Sequence, residues 1–364
     1  MKNTSIANQR LLNLHISGGK PDKPGQVVKS LGALQAQDYH QSVWAIGLRM
    51  PAATLADIER AIEEREILRT WPMRGTIHWV TPEDAAWMLK LSEPRMLAGA
   101  KRRREQLELD EAILERCGML LYDALHGNQR LARSAIMQLL EDAGISTNAQ
   151  RGYHILWYLA QTGLICIGPM QNKEQSFALL EDWAPNPRKL SREEGLAELA
   201  GTYFASHGPA TLHDFAWWAG LTIAEAKQGI EAARPKLMKE TTGGAECWSS
   251  PNSRGLPAAE ESDVYLLPGF DEYLLGYKDR SAVLMQEYAP RIVPGQNGVF
   301  MPCIVVSGQI VGTWKRTLKK KTMEMTLIPF EPLGNVQDEV LAAAKRYSEF
   351  MGLQLVSAEF QLDH

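Results

Sequence analysis

The sequence predicts an α+β chain of tandem winged-helix modules (helix-turn-helix plus wing), three in number, followed by a β-rich C-terminal part. Three observations point there. In the first half, helical apolar spacing twice gives way to short segments that alternate with period two. A third helix pair is marked by capping residues Thr211 and Thr222 with Gly220 between them. From Val264 onward the period is mainly that of strands. The 364 residues exceed the usual size of one domain, about 100–200 residues, so several modules are expected.

The elements follow in order. Ser5 to Ile16 reads as a helix stopped by Gly18-Gly19 and Pro21. A second helix starts near Pro24-Gly25, with Val27, Val28, Leu31 and Leu34 on one face, and runs out around Gln35 to Asp38. Leu55 to Ile67 is a third, leading into a strand from Met73 to Val80 that places Arg74, Thr76 and His78 on one face. Thr81-Pro82-Glu83-Asp84 opens a further helix.

The order then recurs: Leu131 to Asp142, Ala149 to Gln161, and two strands, Leu164 to Ile167 and Gln175 to Leu179, about a Gly-Pro turn. After the proline-rich joint Ala184 to Pro187 come a helix from Arg192 to Ser206 and the pair capped by Thr211 and Thr222. Pro302 to Phe330 reads as a meander with a basic tip. The expected division is 1–90, 91–184 and 185–260 for the three winged-helix modules, and 261–364 for the β-rich region with its basic hairpin and acidic C-terminal tail.

Charge bounds the partners. There are 39 Lys and Arg against 43 Asp and Glu, a net of -4, which on its face disfavours nucleic acid. The deficit is local, since the segment after Phe330 carries the whole of it and the preceding residues sum to zero. Within those residues the cations bunch at Lys101 to Arg104, and at Lys315, Arg316, Lys319, Lys320 and Lys321. A charge run is ordinarily a solvated face, and a lysine-rich turn also deters edge pairing. A hairpin tip is nevertheless where cations reach a groove or follow phosphates.

Cys117, Cys166, Cys247 and Cys303 have no paired spacing, no histidines stand at metal-ligand spacing, and no Walker-type loop occurs. Neither a metal nor a cofactor is expected, and a nucleotide cofactor least of all. No apolar run approaches a membrane span, so the expectation is a cytoplasmic protein with no membrane partner.

Three stretches can carry chemistry. Gln35 and Gln37 flank one small apolar residue, and a carboxamide pair can hold a water by donating and accepting hydrogen bonds. Taken by itself, the pair is more simply two polar residues at a surface helix end. Arg74, Thr76 and His78 offer a cation, a hydroxyl and an imidazole, or else a structural ion pair and a satisfied histidine. The acids of Leu266 to Arg280 are either catalytic or bridged to Lys278 and Arg280.

Taken together, Leu34-Gln35-Ala36-Gln37, Met73-Arg74-Gly75-Thr76-Ile77-His78, Leu267-Pro268-Gly269-Phe270-Asp271-Glu272 with Asp279-Arg280, and Gly308-Gln309-Ile310-Val311-Gly312-Thr313-Trp314 resemble the bacterial tandem winged-helix DNA glycosylases of the AlkZ and YcaQ type. Members act on alkylated purines and on interstrand crosslinks. The resemblance implies that Gln35 and Gln37 are the catalytic glutamine-aliphatic-glutamine motif. Asp38, which the family motif does not require, is a reserve candidate for stabilising the cationic sugar, and Arg74, Thr76, His78 and Asp271 are candidates for a supporting role or else plain scaffold. The resemblance also implies that Lys315, Arg316, Lys319, Lys320 and Lys321 contact DNA from an inserting hairpin. The implied partner is double-stranded DNA bearing an alkylated purine, met by a monomer. Two other readings stand beside it: a non-catalytic winged-helix transcription regulator reading DNA through Ile223 to Ala233, and an interaction scaffold that does not bind DNA.

Overall fold

The computed structural model describes residues 3–242, 244–251 and 263–361. Helix and strand are mixed, at 49% and 21%. The chain forms two compact units, one of Glu59–Gly195 and one joining Met1–Ile58 to Leu196–His364. The chain's beginning, as far as Ile58, thus packs with the residues from Leu196 onward.

In the unit Glu59–Gly195 the strands Thr76–Val80, Leu68–Met73, Ile165–Gln171, Glu174–Leu179 and Arg130–Ala132 lie side by side in that order, every neighbour antiparallel. The hairpin expected to turn at Gly168-Pro169 turns instead at Asn172 and Lys173, both with positive φ (48° and 68°). Gly168 and Pro169 sit within the first strand, where the register shifts between Ile167 and Met170. Proline lacks the N–H that a ladder needs, so a bulge is where a strand tolerates it. Arg74, expected on a strand face, likewise occupies a two-residue turn with Gly75 (φ 55° and 68°).

In the other unit, Val264–Leu267, Cys303–Val306, Gln309–Leu318 and Thr322–Pro329 form an antiparallel meander, and Gln354–Phe360 adds parallel to its last strand. A parallel neighbour requires a crossover, which the helix Gln337–Met351 supplies. The acidic segment expected as a tail is thus folded. Its Ala343, Ala344, Tyr347 and Phe350 are buried, while Glu331, Asp338, Glu349 and Glu359 are exposed.

The capping signals of the third helix pair are realised. Thr211 with Asp214 and Thr222 with Glu225 both form reciprocal capping boxes, opening Leu212–Ala219 and Ile223–Ala233, and Gly220 ends the first in the left-handed conformation. The helix Arg192–His207 packs beside them, and Met238–Thr242 pairs with Ala245–Ser249 beyond. Among the described residues no helix is long and apolar enough to cross a membrane.

Candidate active site

The second helix, Pro24–Leu31, is shorter than its periodicity suggests. Gly32 (φ 79°) stops it, and Leu34–Gln35 is extended. Gln35, Ala36 and Gln37 therefore lie beyond the helix, not at its end. Gln35 closes the short strand, and Gln37 falls on the bend that follows it. Ala36 is buried at 0% exposure, Gln35 is at 8%, and Gln37 is exposed. The motif thus runs from the interior out to solvent within three residues.

Asp38 follows as the N-cap of a helix that sequence periodicity misses, Tyr39–Gly47, accepting from the Gln41 N–H at 3.1 Å. That helix is buried along Ser42 to Gly47, so it shows no polar stripe. Trp44 pins it to the sheet. Its Nε1–H donates to the Leu266 carbonyl at 2.8 Å, and its ring lies 5.2 Å from Tyr347 and 5.0 Å from Phe350.

The segment Pro268 to Gly276 closes around the motif from below. Glu272, 1% exposed, accepts the backbone N–H of Gln35 at 3.1 Å through Oε1 and the Trp218 Nε1–H at 2.9 Å through Oε2, with His207 Nε2 3.4 Å away. Burial holds the His207 imidazole below its ordinary 6.5, although Glu272 pulls the other way. The ring also stacks on Tyr203 at 4.7 Å. A Cβ on Gly276 would meet His207 Cδ2 at 2.5 Å, so only glycine allows so close an approach there.

Asp271 takes a different part. It caps the one-turn helix Glu272–Leu275 through the Tyr273 N–H, and both its oxygens receive the Arg49 guanidinium at 2.9 Å. Arg49 is itself wholly buried and further donates to the carbonyls of Leu14 and Ala45. Asp271 is thereby committed to holding the turn that carries Glu272. The sequence reading offered Lys278 and Arg280 as partners for the acids of this segment; Asp271 instead pairs with Arg49, and Glu272 accepts from Gln35, each more than 200 positions away, where no spacing links them.

The basic hairpin divides in two. Lys319, Lys320 and Lys321 form its tip, where Lys319 pairs with Glu324, whereas Lys315 and Arg316 lie in the strand Gln309–Leu318. Lys320 and Lys321 are exposed and make no ion pair among the described residues. Arg316 is engaged elsewhere: it donates to the Tyr347 hydroxyl and lies 5.3 Å over that ring. The root of the hairpin stands near the motif. Burial first, then the Arg316 charge, lowers the His40 pKa while Asp38 raises it, and the same Asp38 and Arg316 act in opposite senses on Tyr347.

Arg74, Thr76 and His78 form their own cluster in the unit Glu59–Gly195. Arg74 Nη2 lies 3.1 Å from His78 Nε2, and His78 Nδ1 lies 2.9 Å from the Thr76 carbonyl, which orients the buried imidazole. Among the described residues no group of His, Cys, Asp or Glu is arranged to hold a metal ion.

The family model for AlkZ-like DNA glycosylases matches residues 28–350, and the chain belongs to that family of DNA glycosylases. An interstrand DNA cross-link repair glycosylase from Streptomyces sahachiroi is 26% identical over 331 residues, covering 84% of each chain. Among solved structures, the Streptomyces sahachiroi DNA glycosylase AlkZ matches with a TM-score of 0.82 at 20% identity, over 99% of this chain and 100% of that one, a likeness of fold.

Proposed function

We propose that the chain hydrolyses the N-glycosidic bond of alkylated, cationic purines in double-stranded DNA, with Gln35 and Gln37 holding the attacking water, and that crosslinked purines are among its substrates. The observation that carries this reading is the Gln35-Ala36-Gln37 segment placed beyond the helix, where buried Glu272 holds the Gln35 N–H and Gln37 is open to solvent. Alkylation at a ring nitrogen leaves the purine positively charged. When the C1′–N9 bond breaks, its electron pair neutralises the base, so departure needs no general acid. The sugar gains oxocarbenium character, water oxygen bonds to C1′, and the released proton passes to solvent. A neutral carboxamide is too weak a base to deprotonate water beforehand; its work is placement.

The exposure of Gln37 suits a base still tethered to the opposite strand, which cannot swing fully into a closed pocket. The Streptomyces relative, described as a cross-link repair glycosylase, favours the same substrate class. In this reading the three helix pairs with their hairpins are winged-helix modules, the protein acts as a monomer, and no cofactor takes part. The test is release of free base from a duplex containing N7-methylguanine: turnover above the spontaneous rate is expected, and its absence sinks the proposal.

The hairpin tip then meets the DNA backbone. Lys320→Ala with Lys321→Ala is expected to lower the slope of log K against log salt by about 1.8, near 0.9 for each phosphate that no longer has a lysine to neutralise it. A binding titration across salt concentrations reads this, and an unchanged slope removes the hairpin from the interface.

A further inference from the structure

The one-turn helix Glu272–Leu275 that holds Gln35 also holds a second group of side chains. Its Leu275 carbonyl accepts the Trp217 Nε1–H at 3.2 Å, and its Leu274 carbonyl accepts the Arg280 Nε–H at 2.9 Å. The Arg280 guanidinium lies over two rings, 4.9 Å from the centre of Phe300 and 5.8 Å from that of Trp217. Its terminal nitrogens, Nη1 and Nη2, make no hydrogen bond or ion pair with any described residue.

The acids nearest in charge are engaged elsewhere. Asp214 completes the capping box of Leu212–Ala219 and accepts the backbone N–H groups of Lys278 and Asp279. Asp279 accepts the Ser281 N–H. Burial depresses the Arg280 pKa, with Asp214 and Asp279 opposing, yet a guanidinium stays charged in a protein. Beside it Trp217 is 43% exposed, although its indole N–H is already bonded.

A guanidinium fixed through Nε, lying over aromatic rings and left with its fork open is arranged to meet an acceptor with two oxygens. We propose that Arg280, beside Trp217 and Phe300, is a subsite for a backbone phosphate of the DNA that the Gln35 site acts on. The inference rests on that reading of the site. Its added content is register: Glu272, Leu274 and Leu275 belong to one helical turn, so the distance from the phosphate clamp to the glutamine pair is set by a rigid element. The exposed face of Trp217 offers the adjoining sugar or base an apolar surface.

The test is duplex binding by the full chain over a salt series. Arg280→Gln is expected to weaken binding about tenfold, the order of one charge-assisted hydrogen bond, and to lower the salt slope by about 0.9. Arg280→Lys retains the charge and is expected to retain the slope while losing affinity. A folded Arg280→Gln variant with unchanged slope overturns the proposal. A second measurement leaves the sequence intact: phenylglyoxal modification of arginines, mapped by mass spectrometry, with and without saturating duplex. DNA is expected to shield Arg280, and equal modification in both conditions overturns the subsite even where the variant fails to fold. If the unaltered protein binds no duplex at all, the DNA reading of the Gln35 site fails and the subsite with it; that result is distinct from a duplex that binds without shielding Arg280.

Discussion

A chain with Gln35→Ala and Gln37→Ala together folds normally, binds duplex, and releases N7-alkylguanine at least about 10²-fold more slowly than the unaltered protein. Folding survives because the interior anchor of the segment is Ala36, and because the bond from position 35 to Glu272 comes from the backbone N–H, which alanine keeps. What goes, in the proposed mechanism, is the pair of carboxamides that places the water. The loss is then expected on kcat, with binding held by the phosphate interactions proposed elsewhere on the chain. Glu272→Gln probes the same geometry from behind. The Gln35 N–H, the Trp218 Nε1–H and the His207 ring nitrogen converge on that side chain. An amide turns one of its two acceptor oxygens into a donor that meets another donor. Its expected signature is a fall in kcat with KM nearly unchanged in the folded enzyme. Full release by the double glutamine variant, measured as free base by chromatography, defeats the mechanism outright.

The sequence discloses what is local. Thr211 and Thr222 sit three residues before an acid, and each became a capping box because the whole device spans one helical turn. The lysines at 319 to 321 sit at a tip because two alternating segments flank them closely. The helix Tyr39–Gly47 escaped for the opposite reason: most of its surface is buried, so polar and apolar positions do not alternate. The Gln35 segment reads as helix because Val27, Val28, Leu31 and Leu34 continue one apolar face, whereas Gly32 breaks the backbone between them. The glutamines were nameable through the shared motifs. Glu272 lies in one of those motifs too, but its bond to the Gln35 N–H was not legible, since the two lie 237 positions apart and only the fold brings them together. The charge total misled in the same way. Its deficit lies in the segment after Phe330, away from Lys320 and Lys321, which are exposed at a tip where the net count says nothing.

Asp271→Asn carries the largest expected loss of stability, about 3–5 kcal/mol, because it leaves the buried Arg49 charge without its counter-ion. The geometry argues for the upper part of that range. Arg49 is wholly enclosed, both of its bonds to Asp271 are 2.9 Å long, and its other donors go to carbonyls, which bear no net charge. The substitution preserves shape, so the loss is electrostatic rather than a cavity. Denaturant unfolding reads it as a shift in midpoint at constant slope, and a shift worth less than about 1 kcal/mol contradicts the role given to the pair. Arg49→Met with Asp271→Leu is expected to cost less than Asp271→Asn, since neither charge is then stranded, but not to be neutral, because the Leu14 and Ala45 carbonyls lose their donor. The double variant also separates stability from catalysis. Asp271 caps the turn that presents Glu272, so a chain that regains stability without that cap should still release base slowly. Recovery of both together would mean that Glu272 and Gln35 hold their register without Asp271.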